Sequence, residues 1–272
     1  MGAWSAAGLV VLLTTGNPVY RCLVLAAALA VLLAAVGAAR SRRPLLLAAV
    51  LGAAAAAFNV VLSHLGDTVL FALPAGLPVL GGPYTLEALG FGLLSGATLA
   101  AAVLVVAPVS LLVEAHEVVD ALPRALYRTG GAVASALNLV PGVAASFTAV
   151  AEAQRLRGWR PRGPASWAEI VVPVVLTAIE DSIQLAESME ARAFGSGPRT
   201  HWRRARLAAG DRLVVCAAAA AAGLFVLARV LGWAADWAPY PSLTAPDVHP
   251  LPAAAALLLA VPALPWSRRS RA

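Results

Sequence analysis

The sequence predicts an all-α integral membrane protein, with about five transmembrane helices and a cytoplasmic domain that contains two long helices ending in arginine motifs. Three observations predict this class. The mean hydropathy of the 272 residues is +0.80, and only 12% of them are charged. Several apolar stretches approach the ~20 residues that a helix needs to cross a bilayer. The remaining charges are concentrated in the middle of the chain, which divides it into three parts.

Five stretches are apolar enough to predict spanning helices, the last of them short and flanked by prolines. The sequence "RSRR" at 40–43 is predicted to join the first two as a tight turn. Residues 63–85 contain several Gly and Pro and no Arg, which predicts a loop, with re-entrant character as an alternative. The predicted spans are residues 20–39, 44–62, 86–107, 212–232 and 251–266.

The distribution of arginine orients the chain. Residues 108–211 hold eleven of the twenty arginines and ten of the fourteen acidic residues. Because arginine-rich segments stay on the cytoplasmic side, this segment, residues 40–43 and the C-terminal tail are predicted to be cytoplasmic, with the N-terminus outside. All basic residues are Arg and Ala is abundant, which indicates a GC-rich coding sequence and a bacterial source. The predicted location is the inner (cytoplasmic) membrane of a bacterium. The predicted parts are an N-terminal transmembrane group (1–107), the cytoplasmic domain (108–211) and a C-terminal transmembrane group (212–272).

Periodic apolar residues predict three helices in the middle part. Between Pro108 and Pro123, apolar and acidic residues fall on opposite faces, as in a helix that lies at an interface or packs on another helix. A second helix is predicted to end in "EAQRLRG", with Pro141 as a kink or a restart. The sequence "PRGP" at 161–164 interrupts the chain, and a third helix is predicted from Pro173.

The second and third of these helices end in similar sequences, "EAQRLRGW" at 152–159 and "ESMEARAF" at 187–194. The simplest interpretation is a helix C-terminus, at which Arg offsets the macrodipole and Gly forms a cap. Neither a cap nor membrane topology requires an aromatic residue after the helix end. The aligned pairs are Glu152 with Glu187, Arg157 with Arg192, Gly158 with Ala193, and Trp159 with Phe194.

A functional interpretation makes each helix end a projection that binds another protein. A guanidinium at a rigid tip can bind a carboxylate through two hydrogen bonds, and Arg keeps its charge when partly desolvated. The small residue after it allows close approach, and the aromatic residue would be an anchor. Two similar projections predict two similar grooves, hence a partner with pseudo-twofold symmetry. A pair of ATPases on the inner face of a bacterial membrane fits this description.

The paired motifs resemble those of the transmembrane T component of energy-coupling factor (ECF) transporters, the family that includes the Q subunit of cobalt transporters. Members carry two short Arg-centred motifs, typically Ala-Arg-Gly, at the ends of two cytoplasmic coupling helices. The second motif departs from this pattern, because Ala193 replaces Gly, and Gly195 is a candidate substitute for the cap. The matching residues are Leu156, Arg157 and Gly158 in the first motif, and Ala191, Arg192 and Ala193 in the second.

The resemblance implies a non-catalytic coupling subunit of an ABC-type importer for a vitamin or a metal ion. Two ABC ATPases would hydrolyse ATP, and a separate substrate-binding membrane subunit would capture the substrate. Beyond these subunits and the lipid bilayer it implies no partner or cofactor, and the placement of the arginines argues against nucleic acid. Arg157 and Arg192 would contact acidic residues in grooves of the ATPases, supported by Glu152, Trp159, Glu187 and Phe194.

Two other classes of function are alternatives, a self-sufficient secondary transporter and a membrane-bound enzyme. The predicted spans contain almost none of the mid-membrane ionisable residues that a secondary transporter uses. The chain has no Lys, and therefore lacks the phosphate-loop lysine of a P-loop ATPase. His64 and Asp67 are too few ligands for a metal site, and Glu180 with Asp181 is more typical of a polar helix face than of a catalytic pair.

Overall fold

The structure, a computed structural model, is dominated by helices. It describes residues 1–63, 65–74, 81–113, 127–194, 196, 209–234, 236–240 and 244–264. Of these residues, 77% are helical. The helices are α1 (Gly2–Thr14), α2 (Pro18–Val36), α3 (Ala38–Leu62), α4 (Leu86–Leu112), α5 (Tyr127–Leu156), α6 (Ala168–Ala191), α7 (Ala209–Val230) and α8 (Pro250–Leu258), and the strands are β1 (Val69–Leu73) and β2 (Gly82–Thr85).

Five helices in the described part of the chain are long and apolar enough to cross a membrane, which fits a multi-pass membrane protein. Four of them, α2, α3, α4 and α7, coincide with predicted spans. The predicted span at 251–266 is wrong, because α8 ends at Leu258 and only a short 3₁₀ helix, Val261–Ala263, follows it. The fifth long apolar helix is instead Val133–Leu156 of α5, within the part that was predicted to be cytoplasmic.

The chain folds into two compact units. The first is Met1–Val113 together with Arg206–Ala272, and the second is Glu114–Ala205. The hydrophobic core of the first unit is formed mainly by α1, α2, α4, α7 and α8. At its centre the buried rings of Tyr20 and Phe225 meet edge to face, with 5.8 Å between centroids. This contact ties α2 to α7, two spans that are far apart in the sequence.

Helix α1 is an additional element that the sequence analysis did not predict. Its 13 residues are too few to cross a bilayer, yet Trp4 and Leu12 are completely buried. The Trp4 Nε1 donates a hydrogen bond to the Leu259 carbonyl (2.7 Å), and the Ser5 hydroxyl donates one to the Val105 carbonyl (2.7 Å). These contacts hold α1 against α4 and the segment after α8, inside the bundle.

Local sequence explains the boundary between α2 and α3. The Asn17 side chain caps α2 by accepting a hydrogen bond from the Val19 amide (3.0 Å), and Pro18 occupies the first helical position. Gly37, with a φ of +85°, ends α2 and allows α3 to begin at once. Residues 40–43 therefore lie in the first two turns of α3, and the prediction of a separate turn for them is wrong.

Helices α3 and α4 approach each other closely at glycines. A Cβ atom on Gly52 would lie 2.9 Å from the Gly96 carbonyl oxygen, and one on Gly92 would lie 2.9 Å from the Ala56 carbonyl oxygen. Both distances are far below van der Waals contact, so only glycine fits at these positions. Small residues at such spacing allow transmembrane helices to associate through their backbones.

The loop that was predicted at 63–85 contains a β-hairpin. β1 pairs antiparallel with β2, with Phe71 opposite Tyr84 and Leu73 opposite Gly82. The rings of Phe71 and Tyr84 stack with 4.8 Å between centroids. The prediction is therefore wrong for the two strands. β1 reads "VLFAL", an uninterrupted apolar run that lacks the alternation by which a half-buried strand is recognised.

In the second unit, α5 and α6 lie antiparallel. Ser135 contacts Met189 at one end of the pair, and Ala151 packs with Ile170 at the other. The buried core of the pair is small and consists of Ala151, Ile170 and Val174, with Phe147, Val150 and Trp159 packed against it.

Prolines interrupt these helices less than the sequence predicted. α5 continues through Pro141, and α6 begins at Ala168, five residues before Pro173. α4 likewise runs through Pro108 to Leu112. The helix predicted between Pro108 and Pro123 lies mostly outside the described residues.

Candidate functional site

The C-terminus of α5 has the hydrogen-bond pattern of a Schellman motif. The Trp159 amide donates to the Gln154 carbonyl (2.9 Å), and the Gly158 amide donates to the Arg155 carbonyl (3.0 Å). Gly158 has a φ of +88°, the left-handed conformation that this cap requires. Arg157 is therefore the C-cap residue, directly at the tip of the helix.

The C-terminus of α6 has the same pattern. The Phe194 amide donates to the Met189 carbonyl (2.9 Å), and the Ala193 amide donates to the Glu190 carbonyl (2.8 Å). Ala193 itself has a φ of +55°, so it performs the role of glycine, and Gly195 lies outside the described residues. Arg192 occupies the C-cap position that Arg157 occupies in α5. The repeated sequence thus corresponds to a repeated backbone geometry.

Both arginine tips are accessible. Arg157, Gly158 and Arg192 are exposed, and Leu156 is 91% exposed, an unusual environment for an apolar side chain. Among the residues that the structure describes, neither guanidinium makes a hydrogen bond or an ion pair. Both tips therefore present an accessible cation, and the first tip also presents an exposed apolar side chain.

The two aromatic residues that follow the tips differ in environment. The Trp159 Nε1 donates a hydrogen bond to the Ser166 carbonyl (3.0 Å), and its ring meets Trp167 edge to face at 5.4 Å. Trp167 in turn stacks on Phe147 of α5. Trp159 therefore fastens the end of α5 to the beginning of α6. Phe194 is 50% exposed and keeps a surface for a partner.

The supporting acids, Glu152 and Glu187, are exposed. Within the described residues neither of them forms an ion pair with the arginine of its own motif. They contribute negative charge near each tip without holding the guanidinium in place.

The two tips lie at opposite ends of the α5–α6 pair. Trp159 packs against Trp167, so the first tip lies beside the start of α6. α6 then extends over 24 residues, at ~1.5 Å per residue, before it reaches Arg192. A separation of about 36 Å follows for the two arginines. At this separation one small molecule cannot contact both arginines.

The side of α6 away from α5 presents an exposed apolar surface. Five apolar side chains form this surface; they recur at helical spacing and are all 47–61% exposed. Acidic residues, including Glu180 and Asp181, are exposed elsewhere on the same helix. The exposed apolar residues are Val172, Val175, Leu176, Ile179 and Ile183.

A polar network that the sequence analysis did not connect surrounds Asp236. Its carboxylate pairs with Arg229 and accepts a hydrogen bond from the Gly16 amide (3.2 Å). It also interacts electrostatically with Arg21, whose Nε donates to the Thr15 carbonyl (2.9 Å). The two arginines at the ends of α2 and α7 therefore share one acidic partner. Asp236 lies after the predicted span at 212–232, and no local motif links it to Arg21.

The described residues contain no group of three or more side chains that could hold a metal ion. His64 lies outside them, and Asp67 is exposed. The search of protein-family models finds none that matches the chain, and no curated protein matches it either.

Proposed function

We propose that the chain is the transmembrane coupling subunit of an ECF-type importer. In this proposal two ABC ATPases bind its arginine tips, and a separate membrane subunit binds a vitamin or a metal ion. The observation that supports it is the repeated Schellman motif, which places an exposed arginine at the same position of two helices. One such cap is ordinary; two caps with the same cation at the same position fit two related grooves.

Arginine at a C-cap suits a contact with acidic residues of an ATPase. Its planar guanidinium can bind a carboxylate with two parallel hydrogen bonds, and it remains charged when the contact excludes water. The capped helix end gives the side chain a fixed origin. Removing one partner of a buried charge pair of this kind typically costs about 2–5 kcal/mol, which is a large share of a subunit contact.

The spacing of the tips also fits two subunits. About 36 Å separates Arg157 from Arg192 along α6, comparable to the diameter of a small domain. Two ATPases side by side can each receive one tip, whereas a single groove cannot receive both. Movement of the ATPases relative to each other would then act on the two ends of the α5–α6 pair.

In this proposal other chains hydrolyse ATP, which fits the lack of a phosphate-loop lysine in this sequence. A secondary transporter is the weaker alternative. In all five candidate spans the Asp, Glu and Arg residues fall within six residues of an end, and the described spans contain no His or Lys. An ion-coupled carrier commonly places ionisable groups near the middle of the bilayer.

In this proposal the α5–α6 pair lies on the cytoplasmic side, against the inner leaflet. The apolar stretch Val133–Leu156 has the length of a span, but four arginines lie at or just after its end, at 155, 157, 160 and 162. If α5 crossed the membrane, those charges would be translocated, against the positive-inside rule. A helix that lies along the leaflet buries its apolar side without moving them.

The test is charge reversal at the tips in the full complex. Arg157→Glu and Arg192→Glu should each reduce the amount of nucleotide-hydrolysing protein that co-purifies with the tagged chain, because the new carboxylate repels the acidic groove. Arg162→Glu is the matched control, since Arg162 is exposed, undergoes the same change of charge and lies outside the motif. Membrane insertion is checked for each variant by the amount of protein in the membrane fraction.

Loss of the ATPases in both tip variants but not in the control is the expected result. Co-purification at the level of the wild-type chain in both tip variants would refute the assignment of the arginines. Uptake of a substrate by the purified chain alone in vesicles would instead favour the secondary transporter.

A further inference from the structure

The β1–β2 hairpin exposes a run of apolar side chains along β1. All five residues of β1 are exposed, with Val69 and Leu70 each at 54% and Phe71 at 56%. The end of β2 is covered, since Tyr84 is 7% and Thr85 2% exposed, so β1 is the strand that the rest of the described protein leaves uncovered. From residue 68 to residue 86 the sequence contains no Asp, Glu, Arg, Lys or His.

Hydrogen bonds fix this hairpin rigidly to the beginning of α4. The Thr68 hydroxyl and amide both donate to the Glu87 carboxylate (2.6 and 3.3 Å), and the Leu86 amide donates to the Thr68 carbonyl (3.0 Å). The Thr85 hydroxyl donates to the Leu65 carbonyl (2.6 Å). Glu87 is only 1% exposed, so these bonds replace its hydration. The hairpin therefore cannot fold away to hide its apolar residues.

The apolar surface of the hairpin is continuous with that of the spanning helices. Exposed leucines precede the hairpin at the end of α3 and follow it in the first turns of α4. The hairpin thus extends the apolar surface of two spans, and the acidic residues within this stretch are Asp67 and the buried Glu87. The exposed leucines are Leu62 (52%), Leu65 (68%), Leu86 (39%), Leu89 (39%) and Leu93 (59%).

The backbone of the hairpin sets the depth at which it can lie. In the described part of the chain no strand pairs with the outer edge of β1, so the N–H and C=O groups along that edge need water or headgroups as partners. The hydrocarbon core cannot supply them, and bulk water cannot accommodate an apolar ribbon without risk of aggregation. Only the boundary between headgroups and acyl chains satisfies both requirements.

We propose that the β1–β2 hairpin is an interfacial lipid anchor, inserted about 5–10 Å into the headgroup–acyl boundary next to the ends of α3 and α4. Through its hydrogen bonds with Glu87 it fixes the depth of the α3–α4 pair. This role does not depend on the proposed coupling function, because it concerns lipid and not another subunit.

The test measures the environment of a nitroxide at Leu70 in the full chain, reconstituted in phosphatidylcholine liposomes. Leu70→Cys is made in a background in which the exposed Cys22 and Cys216 are replaced by Ala. Collisions with oxygen, which partitions into lipid, are compared with collisions with a water-soluble nickel chelate. Phe58→Cys on the exposed side of α3 is the reference in lipid, and Asp67→Cys at the base of the hairpin is the reference in water.

The expected result is an oxygen-to-nickel ratio at Leu70 that is shifted from the Asp67 value towards the Phe58 value. A ratio equal to that of Asp67 would show a hairpin in water and overturn the proposal. Low accessibility to both reagents would show a protein cover, and would overturn it too. If the Leu70 variant fails to insert, Val69→Cys, at a position of β1 with the same 54% exposure, takes its place with the same criteria.

Discussion

Glycine and alanine can be exchanged between the two helix ends, because the same left-handed cap position is occupied by Gly158 in α5 and by Ala193 in α6. Gly158→Ala introduces a Cβ at a φ of +88°, and Ala193→Gly removes one at a φ of +55°. A Cβ on Gly158 would have no heavy atom within 4 Å, so the substitution changes backbone strain and adds no steric clash. The pair therefore measures the cost of the conformation alone.

The magnitude follows from two opposing terms. An L-residue in the left-handed region costs about 1–2 kcal/mol. Alanine recovers about 0.4–1 kcal/mol of this by reducing the entropy of the unfolded chain. Gly158→Ala should therefore destabilise the end of α5 by about 1 kcal/mol, and Ala193→Gly should stabilise the end of α6 by a similar amount. One kcal/mol changes a local opening equilibrium about fivefold.

Hydrogen exchange of two backbone amides measures this effect in the full chain. The Trp159 and Phe194 amides each close a Schellman motif with a 2.9 Å hydrogen bond, so their exchange reports the opening of each cap. Exchange at Trp159 should accelerate about fivefold in Gly158→Ala, and exchange at Phe194 should slow about fivefold in Ala193→Gly. Changes in the same direction in both variants, or no change, would refute the assignment of a common cap.

Three further outcomes are expected from single substitutions. Gly96→Ala should lower the free energy of unfolding by about 1–3 kcal/mol, because the new methyl group would collide with the backbone of α3. The control, Gly223→Ala on α7, places its methyl group in open space and should be neutral or slightly stabilising. Thermal unfolding followed by tryptophan fluorescence compares the two variants, and equal unfolding temperatures would contradict the close contact. Asp236→Asn should cost less than about 1 kcal/mol, since its pair with Arg229 is partly exposed, and the difference from wild type in denaturant unfolding should shrink in high salt. Arg162→Cys, without the two native cysteines, should react with a membrane-impermeant maleimide in inverted vesicles but not in intact cells; labelling of intact cells would place the end of α5 outside.

Most of the transmembrane part could be predicted because length and hydropathy alone decide it. The four spans found in both the sequence and the structure need only about 20 apolar residues in a row. α1 escaped prediction because its 13 residues are held by distant partners, such as the Leu259 carbonyl that accepts from Trp4. The length of α8 was overestimated, because the apolar sequence continues beyond the helix end while Val261–Ala263 forms a 3₁₀ helix.

The candidate site was accessible to sequence reasoning for a different reason. A Schellman cap is a local structure, and its signals, Arg157 followed by Gly158, lie within a few residues. The role of Trp159 is not local in the same sense, since it depends on the position of Trp167 after an intervening turn. The sequence therefore located both tips correctly as helix ends. It could not show that the Trp159 ring packs against Trp167 within this chain, whereas the Phe194 ring is half exposed.

The left-handed conformation of Ala193 also determines the geometry of the second tip. A residue other than glycine keeps a left-handed conformation only when its surroundings supply more than the strain costs. At the end of α6 the compensation comes from the two cap hydrogen bonds that the Ala193 and Phe194 amides donate. The same two bonds fix the direction in which the chain leaves the helix and so position Arg192. At both tips, then, the hydrogen bonds that end the helix also fix the backbone position from which the guanidinium extends.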